Sequence, residues 1–170
     1  DNKIKQIEMG TVIKKLNPVL KNKSILKIGQ NLKYDMIVLE HNGFAPLESF
    51  DDTMLMSYTL YAGMHNHNLD YLAQTYLGIK KKKYKEVVGT GKNEKKFSEI
   101  AINDAFFYAC EDAAVTFQLW QFLYKEIIEK KLMFVYRNIE LPLINIIASM
   151  EKNGVNVDKE ELKKISYDFE

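Results

Sequence analysis

The feature that most constrains the fold is the stretch 103–120, which has helical periodicity and is apolar on most sides. Apolar residues recur at three- and four-residue steps from Phe106 through Phe117 to Tyr124, and others fill much of the remaining circumference. A helix of this kind is expected to be buried. Cys110 is then predicted to be a small core residue, and as the only cysteine it excludes a disulfide framework or thiolate metal cluster.

Two polar side chains interrupt this apolar helix. Tyr108 and Asp112 are four residues apart, so they project from the same face. A buried carboxylate is costly unless a charge or a metal ion compensates it. The pair is therefore either a structural hydrogen bond or part of a functional site, and on these residues alone the structural interpretation is favoured.

The charge of the chain is unevenly distributed. Eight lysines against two glutamates give the segment 80–96 a charge of +6, whereas the whole chain carries +1, so the remainder carries −5. A cationic segment on an acidic body suits contact with a polyanion, although a solvated loop is an equally good interpretation. Tyr84 lies among these lysines, where it either stacks on a base of a single strand or packs under the loop.

The length and composition suit one domain, or one domain and the start of another. A chain of 170 residues with 46% apolar content can form a sizeable core. No apolar run approaches the roughly 20 residues that span a bilayer, and no signal-peptide pattern opens the chain. We therefore expect no membrane partner and a cytoplasmic location.

Short strands and helices alternate in the first part of the chain. The pattern predicts a helix over 8–20, a strand over 25–28, a second strand ending near 49–52, and helices over 53–61, 69–77 and 141–153. Residues 133–138 are predicted to be a connector. Asp52 occupies an N-cap position, and Asp35 follows a strand-to-helix junction, where α/β folds usually bind their ligands.

Three motifs in this order carry a resemblance to a known family. They are Asn31-Leu-Lys-Tyr-Asp35, Phe50-Asp-Asp-Thr-Met-Leu55 and Tyr108-Ala-Cys-Glu-Asp112. From about residue 8 onward the chain resembles the 3′–5′ proofreading exonuclease domains of bacterial family A DNA polymerases, which are DEDD exonucleases. The resemblance implies an α/β, helix-rich, ribonuclease H-like fold. It also implies a partial exonuclease domain over 1–137 and a junction over 138–170 that leads into a polymerase domain.

The resemblance also implies the site residues and the cofactor. In that family four carboxylates hold two divalent ions, Mg²⁺ or Mn²⁺, against the 3′ end of single-stranded DNA. Asp112 and Asp35 match metal-ligating positions, and Tyr108 matches the residue that orients the attacking water. Positions that match DNA contacts are Gln30, Asn31, Lys33, Tyr34 and Tyr84.

The family's first motif, Asp-x-Glu on a first strand, has no counterpart in a suitable place. The matches Asp158-Lys-Glu160 and Asp168-Phe-Glu170 fall in the last predicted helix. We therefore expect an excerpt of a longer, bacterial nucleoid-associated polypeptide that lacks the first strands of its sheet. Such an excerpt is expected to show little nuclease activity and to self-associate through an exposed sheet edge. The alternatives are a catalytically inert DNA-binding domain of the same fold and a related DEDD exoribonuclease.

Overall fold

Helices surround a small two-stranded sheet in the computed structural model, which describes residues 6–91 and 94–169. The strands are Lys27–Gly29 (β1) and Phe50–Asp52 (β2). The helices α1 to α9 are, in chain order, Met9–Leu20, Leu32–His41, Thr53–Tyr61, Leu69–Leu72, Tyr84–Val88, Ile102–Glu129, Met133–Val135, Leu141–Asn153 and Lys159–Asp168. The predicted helix-rich α/β class is confirmed. None of the described helices combines the length and apolar character needed to cross a membrane.

The two strands pair in parallel, and α2 is the crossover between them. Ile28 lies opposite Asp51 and Gly29 lies opposite Asp52. The carboxyl ends of both strands therefore meet at one edge of the sheet, where ligands bind in open α/β folds. The first strand begins two residues later than predicted, because Ile25 and Leu26 remain outside the ladder and partly exposed.

Asp52 fixes the beginnings of two helices at this edge. Its side chain caps α3, accepting hydrogen bonds from the backbone N–H groups of Met54 at 2.8 Å and Leu55 at 3.3 Å. The same buried carboxylate accepts the N–H groups of Asn31 at 3.1 Å and Leu32 at 2.7 Å, where α2 begins. Asn31 has φ 61°, a left-handed conformation that asparagine tolerates better than most residues. One side chain thus holds α2 and α3 to β2.

Asp51 joins the sheet to the helices behind it. Its fully buried carboxylate accepts hydrogen bonds from Trp120 Nε1 at 2.9 Å and from the Tyr136 hydroxyl at 3.0 Å, and it pairs with Arg137 at 2.6 Å. The Tyr136 hydroxyl in turn accepts the backbone N–H of Asp52 at 3.0 Å. Burial, followed by the charge of Asp51, raises the pKa of Tyr136, so this phenol remains a hydrogen-bond donor.

The expectation that the whole of α6 is buried is wrong. Only its second half crosses the core, which is formed by Met56, Leu72, Leu119, Leu123, Ile127 and Tyr136. The first turns lie beyond that core, so Phe106 and Phe107 are 58% and 70% exposed. Cys110 is exposed as well, and its prediction as a core residue is also wrong.

The interpretation of 133–138 as a connector is wrong too. Those residues are helical, and a widened turn of π-helix over Tyr136–Glu140 joins α7 to α8. A second π-helical turn, Ala73–Leu77, extends α4. Tyr136 and Arg137 both lie in the first of these turns and both reach Asp51. Polar contacts to a buried carboxylate therefore anchor a segment whose sequence carries no clear helical stripe.

We predict that Asp52→Ala lowers the free energy of unfolding by about 3 kcal/mol or more, because four backbone donors lose their acceptor. Asp158→Ala is the matched control. Asp158 also caps a helix, α9, but that helix has no buried residue, so we expect a loss of about 1 kcal/mol or less. Urea unfolding followed by circular dichroism measures both, and equal losses would contradict the role given to Asp52.

Candidate functional site

Tyr108 and Asp112 continue the stripe by which α6 faces the body of the protein. Further along the helix this stripe consists of Val115, Leu119 and Leu123, all of them buried. The Asp112 side chain is 31% exposed, but its Oδ1 atom is buried and accepts no hydrogen bond of regular geometry among the described residues. The Lys81 ammonium contacts this oxygen. The buried acid is therefore compensated by a cation from outside its own helix.

Lys81 is a buried cation between two carboxylates. Its side chain is 1% exposed, and its Nζ atom contacts Asp112 and lies 3.2 Å from Asp70 Oδ1. It also lies 5.7 Å from the centroid of the Tyr108 ring, within range of a cation–π interaction. Burial lowers the pKa of Lys81, but the two carboxylates outweigh that effect and the net shift is upward. Lys81 therefore stays charged and differs from the exposed lysines around it.

Tyr108 is a neutral phenol set among other rings. Burial, followed by the charge of Asp112, raises the pKa of Tyr108 to about 12. Tyr84 and Phe97 meet the Tyr108 ring edge-on, each with a centroid distance of 6.1 Å, and stack on each other at 6.0 Å. Tyr84 thus lies beside the predicted catalytic tyrosine. Phe97 was missed, although it directly follows a pair of lysines in the sequence.

Asp35 lies in the first turn of α2, with its side chain exposed to solvent. Partial desolvation and then the negative charge of Asp52 raise the pKa of Asp35. Asp35 and Asp112 are not brought together with a third acid, histidine or cysteine as a metal site in residues 6–91 and 94–169. Their convergence on bound cations stays a prediction.

The predicted DNA-contact residues near α2 differ in how free they are. The Gln30 side chain donates to the backbone oxygen of His67 at 2.8 Å, and Lys33 forms an ion pair with Glu151. Tyr34 is 66% exposed. Of these three side chains, Tyr34 is therefore the most available to a ligand.

The side chains at this site include one suitable ligand for a hard cation but not a complete set. The Asp112 carboxylate oxygen is a hard donor of the kind that Mg²⁺ or Mn²⁺ binds, and in this structure the Lys81 ammonium contacts it. Over residues 6–91 and 94–169, however, no three side chains of the His, Cys, Asp and Glu types come together as a metal site. Asp112 thus fits as one member of a set that these residues do not complete.

Residues 2–128 match the family of 3′–5′ exonuclease domains. The chain belongs to this family. The exonuclease domain is similar to part of DNA polymerase I from Rhizobium leguminosarum, with 41% identity over 161 residues that cover 95% of this chain and 16% of that protein. DNA polymerase I from Borreliella burgdorferi is 37% identical over 157 residues, covering 92% of this chain and 17% of the other. The resemblance drawn from the three motifs is confirmed, and the chain spans about one sixth of these relatives.

A solved structure shares the fold of the exonuclease domain. It is the POL domain of Pol1 from M. smegmatis in complex with DNA primer-template and dNTP. The TM-score is 0.61 at 23% sequence identity, and the alignment covers 91% of this chain and 24% of that one. This likeness supports the fold and agrees with the predicted ribonuclease H-like class.

We predict that Tyr108 ionises near pH 12 in the folded protein without metal, and that Asp112→Asn moves this transition toward the ordinary value of 10.0 without reaching it. Burial is the larger cause of the shift, and the Asp112 charge is the smaller. Ultraviolet difference titration measures the transition, with Tyr108→Phe to identify it. Because the folded pKa is raised, the stabilising contribution of this phenol is complete below pH 10 and is lost toward pH 12. An unchanged titration in Asp112→Asn would contradict the coupling.

Proposed function

We propose that this exonuclease domain removes mismatched 3′-terminal nucleotides from single-stranded DNA on behalf of a DNA polymerase I. The observation that carries the proposal is the buried Asp112 oxygen, which is compensated by the Lys81 ammonium and has no hydrogen bond of regular geometry among the described residues, beside the neutral phenol of Tyr108 and the ring of Tyr84. An acidic site of this kind needs a cation, and an adjacent aromatic surface suits an unpaired base.

Asp112 and Asp35 are the residues that we propose to hold Mg²⁺ or Mn²⁺. Such ions, when bound, lower the pKa of water and stabilise the attacking and leaving oxygens of a phosphodiester displacement. Tyr108 acts as a hydrogen-bonding positioner of the water rather than as a base, since its pKa of about 12 keeps it protonated at neutral pH. Burial, followed by the charge of Asp52, raises the pKa of Asp35, and a bound cation would favour the charged form of this acid.

We propose that the 3′ end of the strand is held by Gln30, Asn31, Lys33, Tyr34 and Tyr84. The exposed rings of Tyr34 and Tyr84 are available for stacking. Gln30 and Lys33 are already paired, with His67 and Glu151 respectively, so DNA binding would exchange those partners for a phosphate or a base. These two residues are therefore expected to contribute less than the tyrosines.

The proposal extends to a polymerase domain in the same polypeptide, as in the relatives. Residues 138–170 would form the junction, and α9 within it has no buried residue and exposes Leu162 and Ile165. The carboxylates that complete the metal site would come from the family's Asp-x-Glu motif. The sheet edge that β1 and β2 leave open within residues 6–91 and 94–169 would favour self-association of the isolated chain.

A catalytically inert DNA-binding domain is the second candidate. It is favoured by one observation, the Lys81 ammonium in contact with Asp112, which neutralises the acid without a metal. A domain of this kind binds single-stranded DNA and shows no hydrolysis in any length of the polypeptide. A related exoribonuclease would instead degrade single-stranded RNA faster than DNA of the same length.

We predict that Asp112→Asn, in the polypeptide that includes the Asp-x-Glu motif, lowers the rate of 3′ digestion roughly a hundredfold or more, because a metal ligand supplies several kcal/mol to the transition state. Asp70→Asn is the matched control, since Asp70 shares Lys81 but is not a proposed ligand. It should keep most of the activity. Digestion of a 5′-labelled oligonucleotide measures both, and an unchanged rate in Asp112→Asn would remove this residue from the site.

We also predict that the 170-residue chain alone digests DNA slowly, and that the same chain extended to include an Asp-x-Glu strand digests it at least a hundredfold faster. The physical reason is that Asp112 and Asp35 by themselves offer too few oxygen ligands for a hard cation. Initial rates at fixed Mg²⁺ concentration provide the comparison. Rapid metal-dependent digestion by the short chain would contradict this prediction.

A further inference from the structure

The cationic segment of the exonuclease domain presents ammonium groups that have no acidic partner. Six of its described lysines are exposed, and no ion pair joins any of them to a described carboxylate: Lys80, Lys82, Lys83, Lys85, Lys95 and Lys96. Elsewhere on the surface, lysines such as Lys152 and Lys163 do pair with glutamates. The segment therefore keeps its positive charge available.

The acids around these lysines bind backbone groups. Glu86 Oε2 accepts the N–H of Lys83 at 3.2 Å, and Glu99 Oε2 accepts the N–H of Lys96 at 3.0 Å. From α6, Glu111 Oε2 accepts the N–H of Lys82 at 3.0 Å. Three carboxylates thus fix the backbone of the segment at the lysines themselves, and none of the three forms an ion pair with a described lysine ammonium.

The two lysine clusters lie on one scaffold. The helix α5 packs on α6 and buries Val88, whose carbonyl oxygen accepts the N–H of Lys95 at 2.8 Å. Tyr84 at the start of α5 stacks on Phe97, which follows Lys96, and both rings remain exposed, at 47% and 37%. A pair of stacked rings therefore stands between the lysines at 82–85 and those at 95–96.

This arrangement suits single-stranded nucleic acid better than an acidic protein surface. Phosphates would meet the free ammonium groups, and bases would stack on the exposed rings, which an acidic helix would leave unused. The ring pair also touches Tyr108, so the surface is continuous with the catalytic residues proposed above.

We propose that the exposed lysines and Phe97 form a strand track, which binds the nucleotides on the 5′ side of the terminus that reaches Asp112. This proposal rests on the proposed function for the placement of the 3′ end. Lys82 lines a cleft with Tyr108, one turn of α6 from Asp112. Lys95 lines a second cleft with Glu86, Glu99 and Asp104, and Asp104 lies about 12 Å from Asp112 along α6. The lysines at 82–83 are therefore nearer to the proposed position of the terminus than those at 95–96.

The test compares two quadruple variants of the 170-residue chain in the presence of EDTA, so that no hydrolysis occurs. K82Q/K83Q/K95Q/K96Q removes four lysines of the strand track, and K14Q/K15Q/K21Q/K23Q removes four exposed lysines on and after α1. Fluorescence anisotropy measures binding of labelled dT12, and competition measures binding of dT3. Circular dichroism and thermal unfolding check that each variant is folded.

The strand-track variant should bind dT12 roughly tenfold more weakly than the control at low salt. The slope of its log binding constant against log salt concentration should also be shallower by about 3, because each phosphate contact on a single strand contributes about 0.7 to that slope. Binding of dT3 should fall less than binding of dT12, because a trinucleotide at Asp112 reaches the lysines at 82–83, one of which lines a cleft with Tyr108, but not those at 95–96. The arginine version, K82R/K83R/K95R/K96R, should retain dT12 affinity, and Phe97→Leu should lower it several-fold. Equal dT12 affinity of the two glutamine variants, or an equal loss for dT3 and dT12, would overturn the proposal.

This outcome is separable from that of the proposed function. Loss of dT12 binding together with an absence of hydrolysis in every length of the polypeptide would support the strand track and reject the nuclease role. Hydrolysis that depends on Asp112, together with unchanged dT12 binding in the strand-track variant, would support the nuclease role and reject the strand track.

Discussion

Two adjacent buried carboxylates, Asp51 and Asp52, hold the structure together. They are consecutive residues of β2, so their side chains point to opposite sides of the short sheet. Asp52 accepts the N–H groups that begin α2 and α3, whereas Asp51 accepts groups from α6 and from the turn before α8. A strand of three residues can organise so many helices only because each of its acids has its oxygens occupied by donors from different elements.

Each of these buried acids has several polar partners. Burial raises the pKa of Asp52, and the four backbone N–H groups oppose that rise only in part. Asp51 has a guanidinium, an indole and a phenol around it, which together replace the water that a carboxylate loses on burial. Both residues are structural in this sense, although they lie at the sheet edge where ligands are expected.

Asp112 is the exception to this rule. One of its oxygens is buried without a hydrogen bond, and what compensates it is the Lys81 ammonium. Asp112 thus relies on one side-chain cation, itself buried between Asp112 and Asp70, where each acid of β2 has several donors. Local rules of stability are most often broken at functional sites, and this acid is where they are broken here.

Local patterns in the sequence were sufficient to predict most of the helices. Asp52 as the cap of α3, the bounds of that helix and the ends of α8 follow from residues close in the chain, and they are confirmed. The buried face of α6 was predicted wrongly because apolar residues surround the helix, so periodicity alone cannot choose a side. Val115 and Leu119 are buried while Phe106 and Phe117 are exposed, and the choice depends on where α3 and the sheet lie.

Part of the candidate site could likewise be predicted from local sequence, and part depends on the tertiary structure. Tyr108 and Asp112 are four residues apart on one helix, so their proximity is a local property that the sequence determines. Lys81 lies 27 positions before Tyr108 and 31 before Asp112, and Phe97 reaches Tyr108 from the segment before α6. Nothing in the cationic run distinguishes this one buried lysine from its exposed neighbours. Only the tertiary structure shows that Lys81 turns inward to Asp70 and Asp112.

The distribution of charge then has a physical consequence for how a strand approaches. Outside the segment 80–96 the chain carries −5 and repels a polyanion, whereas the segment itself carries +6. The described lysines of this segment other than Lys81 form no ion pair with a described carboxylate, so their ammonium groups, near Tyr84 and Phe97, are the source of the attraction. A strand bound there as proposed would meet Tyr108 at the edge of the surface, and the acidic remainder of the chain would disfavour binding elsewhere. In the proposed binding mode, attraction at one place and repulsion around it favour the surface beside Tyr108 over the rest of the chain, and the choice of terminus depends on contacts at Asp112 itself.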